Sequence, residues 1–166
     1  MSAQVTRAQL YALSREQNVA AFLHAIRLGE GTEDDAGYSR LFGGAPFDGF
    51  DDHPRQRIKR GRLTSTAAGA YQILSRTWDE MAAKYGFHTF YPLDQDAAAV
   101  GLLLRRGALE DVRAGRIIEA VAKCCREWAS LPGAPYGQPT VTVVQFLKAY
   151  RKHDGRVWSD PPAAPP

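Results

Sequence analysis

Residues 18–31 read NVAAFLHAIRLGEG. Val19, Phe22, Leu23 and Ile26 recur at helical spacing and give one apolar face. Ser14 followed by Gln17 has the spacing of a capping box at the start of this helix. Gly29 and Gly31 stop it, because glycine enters the left-handed conformation at a helix end without steric cost. Glu30 lies between them, at the helix exit. Unpaired carbonyls give a helix C-terminus partial negative charge. That field and apolar surroundings both disfavour an ionised carboxylate, so the position predicts a raised pKa for Glu30. A carboxyl that keeps its proton near neutral pH can give it to a leaving oxygen.

Beyond this helix the pattern changes. Residues 32–66 are rich in Gly, Asp and Arg and carry no helical period. Tyr38 to Phe42, followed by Gly43 and Gly44, reads as a strand leading into a hairpin turn. Arg55, Arg57, Lys59, Arg60 and Arg62 nearly alternate, which fits an exposed strand face. Such a face is either a solvated edge that discourages sheet aggregation or a contact for a polyanion.

Helical spacing returns at Gly69. Tyr71, Leu74, Trp78, Met81, Ala82 and Tyr85 fall on one side, with Trp78 assigned to the core, and Gly86 ends the segment. Pro92 opens the next helix, where residues 97–104 (AAAVGLLL) are apolar all round, the mark of a central buried helix. A short helix at 109–112 and one at 117–128 follow, then a Pro/Gly loop at 131–137. Val143, Phe146, Leu147 and Tyr150 form the face of a last helix. Residues 1–13 read as a loose arm and 159–166 as a Pro-rich disordered tail. The fold class expected is α+β, mostly helical, with one domain over residues 1–158 and a small antiparallel β region to one side.

The chain has 166 residues and a mass of 18.3 kDa, with 45% hydrophobic and 23% charged residues, which suits one globular domain. Its longest clean apolar run falls far short of the ~20 residues that span a bilayer, so no stable membrane insertion is expected. Two cysteines, Cys124 and Cys125, exclude a disulfide scaffold and read as reduced thiols. Residues 1–10 lack the apolar core of a secretory signal, which predicts that synthesis ends in the cytosol. The net charge of +3 and pI near 9.0 suit an anionic polymer without choosing one. His24, His53, His88 and His153 show no ligand spacing, so no metal is expected. No phosphate-binding loop and no serine nucleophile elbow appear, and no cofactor is implied. The basic run lacks interleaved aromatics and no helix-turn-helix or zinc pattern accompanies it, which argues against a nucleic-acid partner.

The carboxylates remain, and here a resemblance enters. LGEGT at 28–32, STAAGAYQI at 65–73 and WASLPGAPYGQ at 128–138 together resemble the bacteriophage lambda lysozyme family, and DHPR at 52–55 is similar to a further segment of it. The resemblance runs from about Val19 to the last helix. It implies a lysozyme-like fold and a phage endolysin that acts as a peptidoglycan lytic transglycosylase, with peptidoglycan glycan strands as partner and a monomer as the working unit. Glu30 matches the family's single catalytic glutamate. It is expected to protonate the β-1,4 oxygen between N-acetylmuramic acid and N-acetylglucosamine, then to draw a proton from the muramic 6-hydroxyl as a 1,6-anhydro ring closes. Tyr71 and Gln72 match the segment that lines the family's saccharide cleft, and Ser65 and Thr66 are weaker candidates there. Tyr136 and Gln138 match positions facing the catalytic glutamate. Where phage T4-type lysozymes carry the Asp and Thr that follow their glutamate, this chain has Ser39 and Ala45, while Glu33, Asp34 and Asp35 read as an acidic solvated turn. Ala70 stands where the family often has Arg. The alternative is a hydrolytic lysozyme or chitinase that uses water. The resemblance also implies an enzyme held in the host cytoplasm that reaches the wall through a membrane lesion.

Overall fold

A computed structural model describes residues 4–161. Seven helices and one two-stranded sheet are present among them: α1 (Arg7–Leu13), α2 (Gln17–Glu30), β1 (Ile58–Arg60), β2 (Leu63–Ser65), α3 (Ser75–Tyr85), α4 (Pro92–Arg105), α5 (Leu109–Ala114), α6 (Ile117–Cys124) and α7 (Val143–Lys152). The fold is α+β, mostly helical, with the β region to one side.

Helix α4 is the hub. Pro92 occupies its first turn, where a missing N–H costs nothing. Residues 97–103 are all buried, and α1, α2, α3 and α5 pack around them. Helix α2 is covered on its other side by α7, where Phe22 meets Phe146 edge-on with ring centroids 5.1 Å apart. Under the irregular region, Phe90 takes Trp78 edge-on at 4.8 Å and His53 at 4.9 Å. Gln95 ties that region to the hub. Its fully buried amide accepts from Ala70 N at 2.9 Å and donates to Tyr38 O at 3.0 Å and Phe90 O at 2.8 Å. A buried amide satisfied in this way fixes loop against helix, since breaking one bond strands a polar group in the core.

Several expectations are corrected. Residues 7–13 are a helix, not a loose arm: Thr6 and Gln9 form a reciprocal capping box, and Leu10 and Tyr11 seat it on the core and on Asp94. Residues 1–3 of the expected arm lie outside the described residues. Ser14 does not cap α2; it closes α1, and α2 starts after Glu16 with no side-chain cap. The second capping box is Thr142 with Gln145, on α7. Of the strand expected over Tyr38–Phe42, Tyr38 and Ser39 instead end a 3-10 helix (Asp35–Ser39), with the Arg27 guanidinium 4.5 Å from the Tyr38 ring centroid, and Arg40 and Leu41 make only isolated antiparallel bridges. The turn at Gly43 and Gly44 does form, closed by an antiparallel bridge from Arg40 to Pro46. Helix α6, expected over residues 117–128, ends at Cys124 rather than running on to Trp128. In the expected tail, Asp160 is held by Arg151 at 2.8 Å and by Val157 N, while residues 162–166 lie outside the described residues. Cys124 is buried and both cysteines are free thiols.

Candidate active site

Glu30 is the last residue of α2. Gly31 follows with φ 68°, and its N–H returns to Arg27 O and Leu28 O, so the chain leaves the helix abruptly. Arg27 then clamps the exit. It is buried in the turn below Glu30, and its guanidinium donates to Thr32 O at 2.7 Å and Asp34 O at 2.6 Å. Beneath it, Tyr38 and Tyr71 both donate to Asp96, at 3.0 and 2.6 Å. Burial raises the Asp96 pKa, and the two phenols and Arg27 offset it. This stack fixes where the backbone of residues 30–34 can go.

The Glu30 side chain faces a cavity of about 380 Å³ between the helical block and the β1–β2 hairpin. Burial pushes its carboxyl up to about 7, and one hydrogen bond opposes that shift: Ser130 Oγ donates to Glu30 Oε1 at 2.6 Å. The contact depends on Gly29, because a Cβ there would sit 2.5 Å from Ser130 Oγ. Ser130 itself is held by the WASLPG turn, where the buried Trp128 indole donates to Tyr71 O at 3.1 Å. Glu127 also lines the cavity, but Arg105 and Arg106 hold its carboxylate at 2.6 and 2.7 Å. Glu33, Asp34 and Asp35 are exposed and do not line it. Among the described residues no group of three or more His, Cys, Asp or Glu is placed to hold a metal ion.

The other residues singled out in the sequence divide. Ser65, Gln72, Tyr136 and Gln138 line the cavity with Glu30. Gln72 has φ 46°, a conformation unusual for a side chain of its size. Its Nε2 donates to Gly69 O at 2.9 Å and Arg40 O at 3.2 Å, which leaves Oε1 to accept from a ligand. Tyr71 does not line the cleft. Its ring is buried, and its hydroxyl is spent on Asp96. Thr66 also lies off the cavity, its hydroxyl accepting from Ser75 N and Oγ at 3.1 Å. Tyr136 is half exposed and its phenol donates to Arg126 O at 2.7 Å, not to Glu30. The partner Glu30 has is Ser130, which the sequence reading passed over. Its only signal was membership of the WASLPG stretch.

A partly buried, protonatable glutamate at a helix exit, facing a cleft between a helical block and a small hairpin, defines a lysozyme-type glycan-cleaving enzyme. Comparison with known proteins narrows the class. The family model for endolysins matches residues 20–157. The endolysin of Escherichia phage lambda is 42% identical over 144 residues, covering 82% of this chain and 91% of that protein. The endolysin of Escherichia phage P2 is 35% identical over 159 residues, covering 86% and 96%. The solved structure of bacteriophage lambda lysozyme complexed with a chitohexasaccharide superposes with a TM-score of 0.81 at 33% identity, covering 93% of this chain and 99% of that one. The chain belongs to the endolysin family, the lysozyme-type enzymes with which bacteriophages degrade peptidoglycan. No helix among the described residues is long and apolar enough to cross a membrane.

Proposed function

We propose that this chain cleaves the β-1,4 bond between N-acetylmuramic acid and N-acetylglucosamine by lytic transglycosylation, leaving 1,6-anhydro ends and so lysing the host. The observation that carries the reading is the isolation of Glu30: the other acid lining the cavity, Glu127, is neutralised by two arginines. A retaining hydrolase places its two carboxyls about 5 Å apart and an inverting one about 6.5–9.5 Å apart, so that the second is nucleophile or base. A lone carboxyl near its midpoint at neutral pH instead suits a reaction that returns each proton it spends. Glu30 protonates the bridging oxygen as the muramic C1–O bond breaks. The resulting carboxylate takes the proton of the muramic 6-hydroxyl as its oxygen bonds to C1. No water is consumed and Glu30 ends protonated. Ser130 then has a double task, to aim the carboxyl and to stabilise its charged form between the two steps.

Gln72 Oε1, Gln138, Ser65 and Tyr136 line the cavity beside Glu30 and are the polar groups that would contact the amino-sugar chain; the similar lambda lysozyme is solved in complex with a chitohexasaccharide. We assign the enzyme to action as a monomer on the wall, reached from the host cytoplasm through a lesion in the membrane. Mass spectrometry of digested sacculi tests the chemistry. Muropeptides lighter by one water, with no reducible muramic end, are the expected product. Reducible muramic ends that take up oxygen from labelled water would replace transglycosylation by hydrolysis.

A further inference from the structure

The β1–β2 hairpin carries a set of cations that neither the fold nor the reaction uses. Arg55, the first of the basic run, is committed: it bridges Asp52 at 3.0 Å and Asp79 at 2.7 Å. Arg60 is committed too, its guanidinium donating to Gly43 O. Arg57, Lys59 and Arg62 are exposed and make no ion pair or side-chain hydrogen bond among the described residues. Charges on an exposed strand discourage edge-to-edge pairing, and a group of unpaired cations also raises the local potential that draws an anionic ligand.

Their placement is specific. The register pairs Lys59 with Thr64 across the hairpin, and Thr64 lines the catalytic cavity. Arg62 sits in the tight turn between Arg60 and Leu63, with Gly61 at φ 58° before it, and Leu63 also lines the cavity. Opposite the hairpin, Arg126 lines the same cavity, exposed and unpaired among the described residues. The negative charge that could answer them from within, Glu127, is already neutralised, and Glu30 keeps its proton for much of the range below pH 7. Arg126 in the cavity wall, with Lys59 paired to the wall residue Thr64 and Arg62 next in sequence to the wall residue Leu63, therefore sets unpaired cations at and beside the cleft.

A chain of N-acetylated amino sugars alone is neutral and gives such a mouth nothing to pair with. Peptidoglycan differs in the peptide carried by the lactyl group of alternate sugars, and that peptide bears free carboxylates. We infer that Lys59 and Arg62, with Arg57 beside them, bind the carboxylates of the stem peptide while the glycan lies in the cleft, so that the hairpin selects peptidoglycan over uncharged amino-sugar polymers. The inference rests on the proposed action on peptidoglycan and adds a site to it. Carboxylates meeting exposed cations raise capture rate and selectivity more than they change the bond-breaking step, and they do so in a salt-dependent way.

The test is the double variant Lys59→Gln/Arg62→Gln, compared with the unaltered enzyme on intact sacculi and on glycan strands stripped of peptide by an amidase and then amidated at the freed lactyl carboxyl, which leaves them without carboxylates. On sacculi at about 20 mM salt the variant should lose about five- to ten-fold in kcat/KM with kcat unchanged, the yield of two exposed charge contacts. It should also lose most of the rate dependence that the unaltered enzyme shows up to about 200 mM salt. On stripped strands the two proteins should be equal. An equal loss on both substrates would mean that the cations touch sugar or that the hairpin has shifted, and would overturn the inference. So would an unchanged rate on sacculi, or a loss confined to binding of anionic lipid vesicles or DNA. If the unaltered enzyme cleaved neither substrate, the proposed function itself would fall, which is a separate result.

Discussion

The exit of α2 and the entry of α5 each hold an acid in a tight setting, and the two are treated in opposite ways. Asp111 is in the first turn of α5, where helix N–H groups favour negative charge. Lys123 Nζ reaches it at 2.5 Å and Arg116 Nε at 2.9 Å, and these bonds hold its carboxyl below the usual range. Glu30 is at the opposite pole of a helix, with no cation and one hydroxyl, and burial drives its carboxyl up to about 7. The first arrangement stabilises a fold. The second is a local cost to folding that leaves a proton available, and a cavity stands in front of it. Functional sites commonly carry such perturbed groups.

The sharpest way to break the comparison is Glu30→Gln. Lysis should be lost, by about a thousand-fold or more, since the amide cannot transfer the proton. The same variant should be more stable where the acid would be charged. The folded pKa lies above the unfolded one, so the contribution of Glu30 is fully favourable below about pH 4.5 and is lost as pH rises through about 7. The amide never pays it, and should gain as much as about 3 kcal/mol at pH 8 and nothing at pH 4. Thermal melts at the two pH values, beside a turbidity assay, measure both. Retained lysis would remove Glu30 from the chemistry.

Asp111→Asn sharpens the other half. The folded pKa is depressed, so this group stabilises above its unfolded value and the benefit is lost as pH falls through the folded one. The asparagine should cost about 1–2 kcal/mol at pH 7, with the difference shrinking in strong acid, and leave activity per folded molecule intact. Urea titrations at neutral pH and in strong acid read the effect. A change in kcat instead would mean that the α5 entry reaches the site.

The two regions also differ in how far they could be read from the chain. The helix before Glu30 was legible because four large apolar residues repeat on one face and two glycines follow; that geometry is local. Helix α4 was legible for the same reason, its apolar run leaving no polar face. Helix α1 was not, since Leu10 is its one buried residue and a single buried side chain makes no period. The pairing of Ser14 with Gln17 misled because a serine that ends one helix has the same spacing to the next as one that begins it. Tyr71 was placed with Gln72 in the cleft. The left-handed backbone at Gln72 separates them, sending one ring into the core and one amide to the cavity, and no side-chain pattern announces a positive φ at glutamine. Ser130 is a hundred residues from Glu30 and meets it only through packing. The free cations of the hairpin could be counted in the sequence but not sorted from the paired ones, because Asp79 on α3 comes to Arg55 only in the fold.

The smallest effect probes what separates the two acids most finely. Asp111 has two charged donors and Glu30 has one neutral hydroxyl. Removing that hydroxyl with Ser130→Ala should carry Glu30 further from Asp111 in behaviour, because a bond that favours the carboxylate is gone and the pKa can only rise. The alkaline limb of the lysis profile should move up by about half a unit to one unit, the effect of one lost hydrogen bond. Below pH 6 the rate should still fall a few-fold, since the carboxyl is no longer aimed and its charged form is less well held between the two proton transfers. A purely structural serine would lower the rate equally at every pH and leave the limb in place. Measuring the profile from pH 5 to 9 therefore separates a serine that tunes the acid from one that only fills the WASLPG turn.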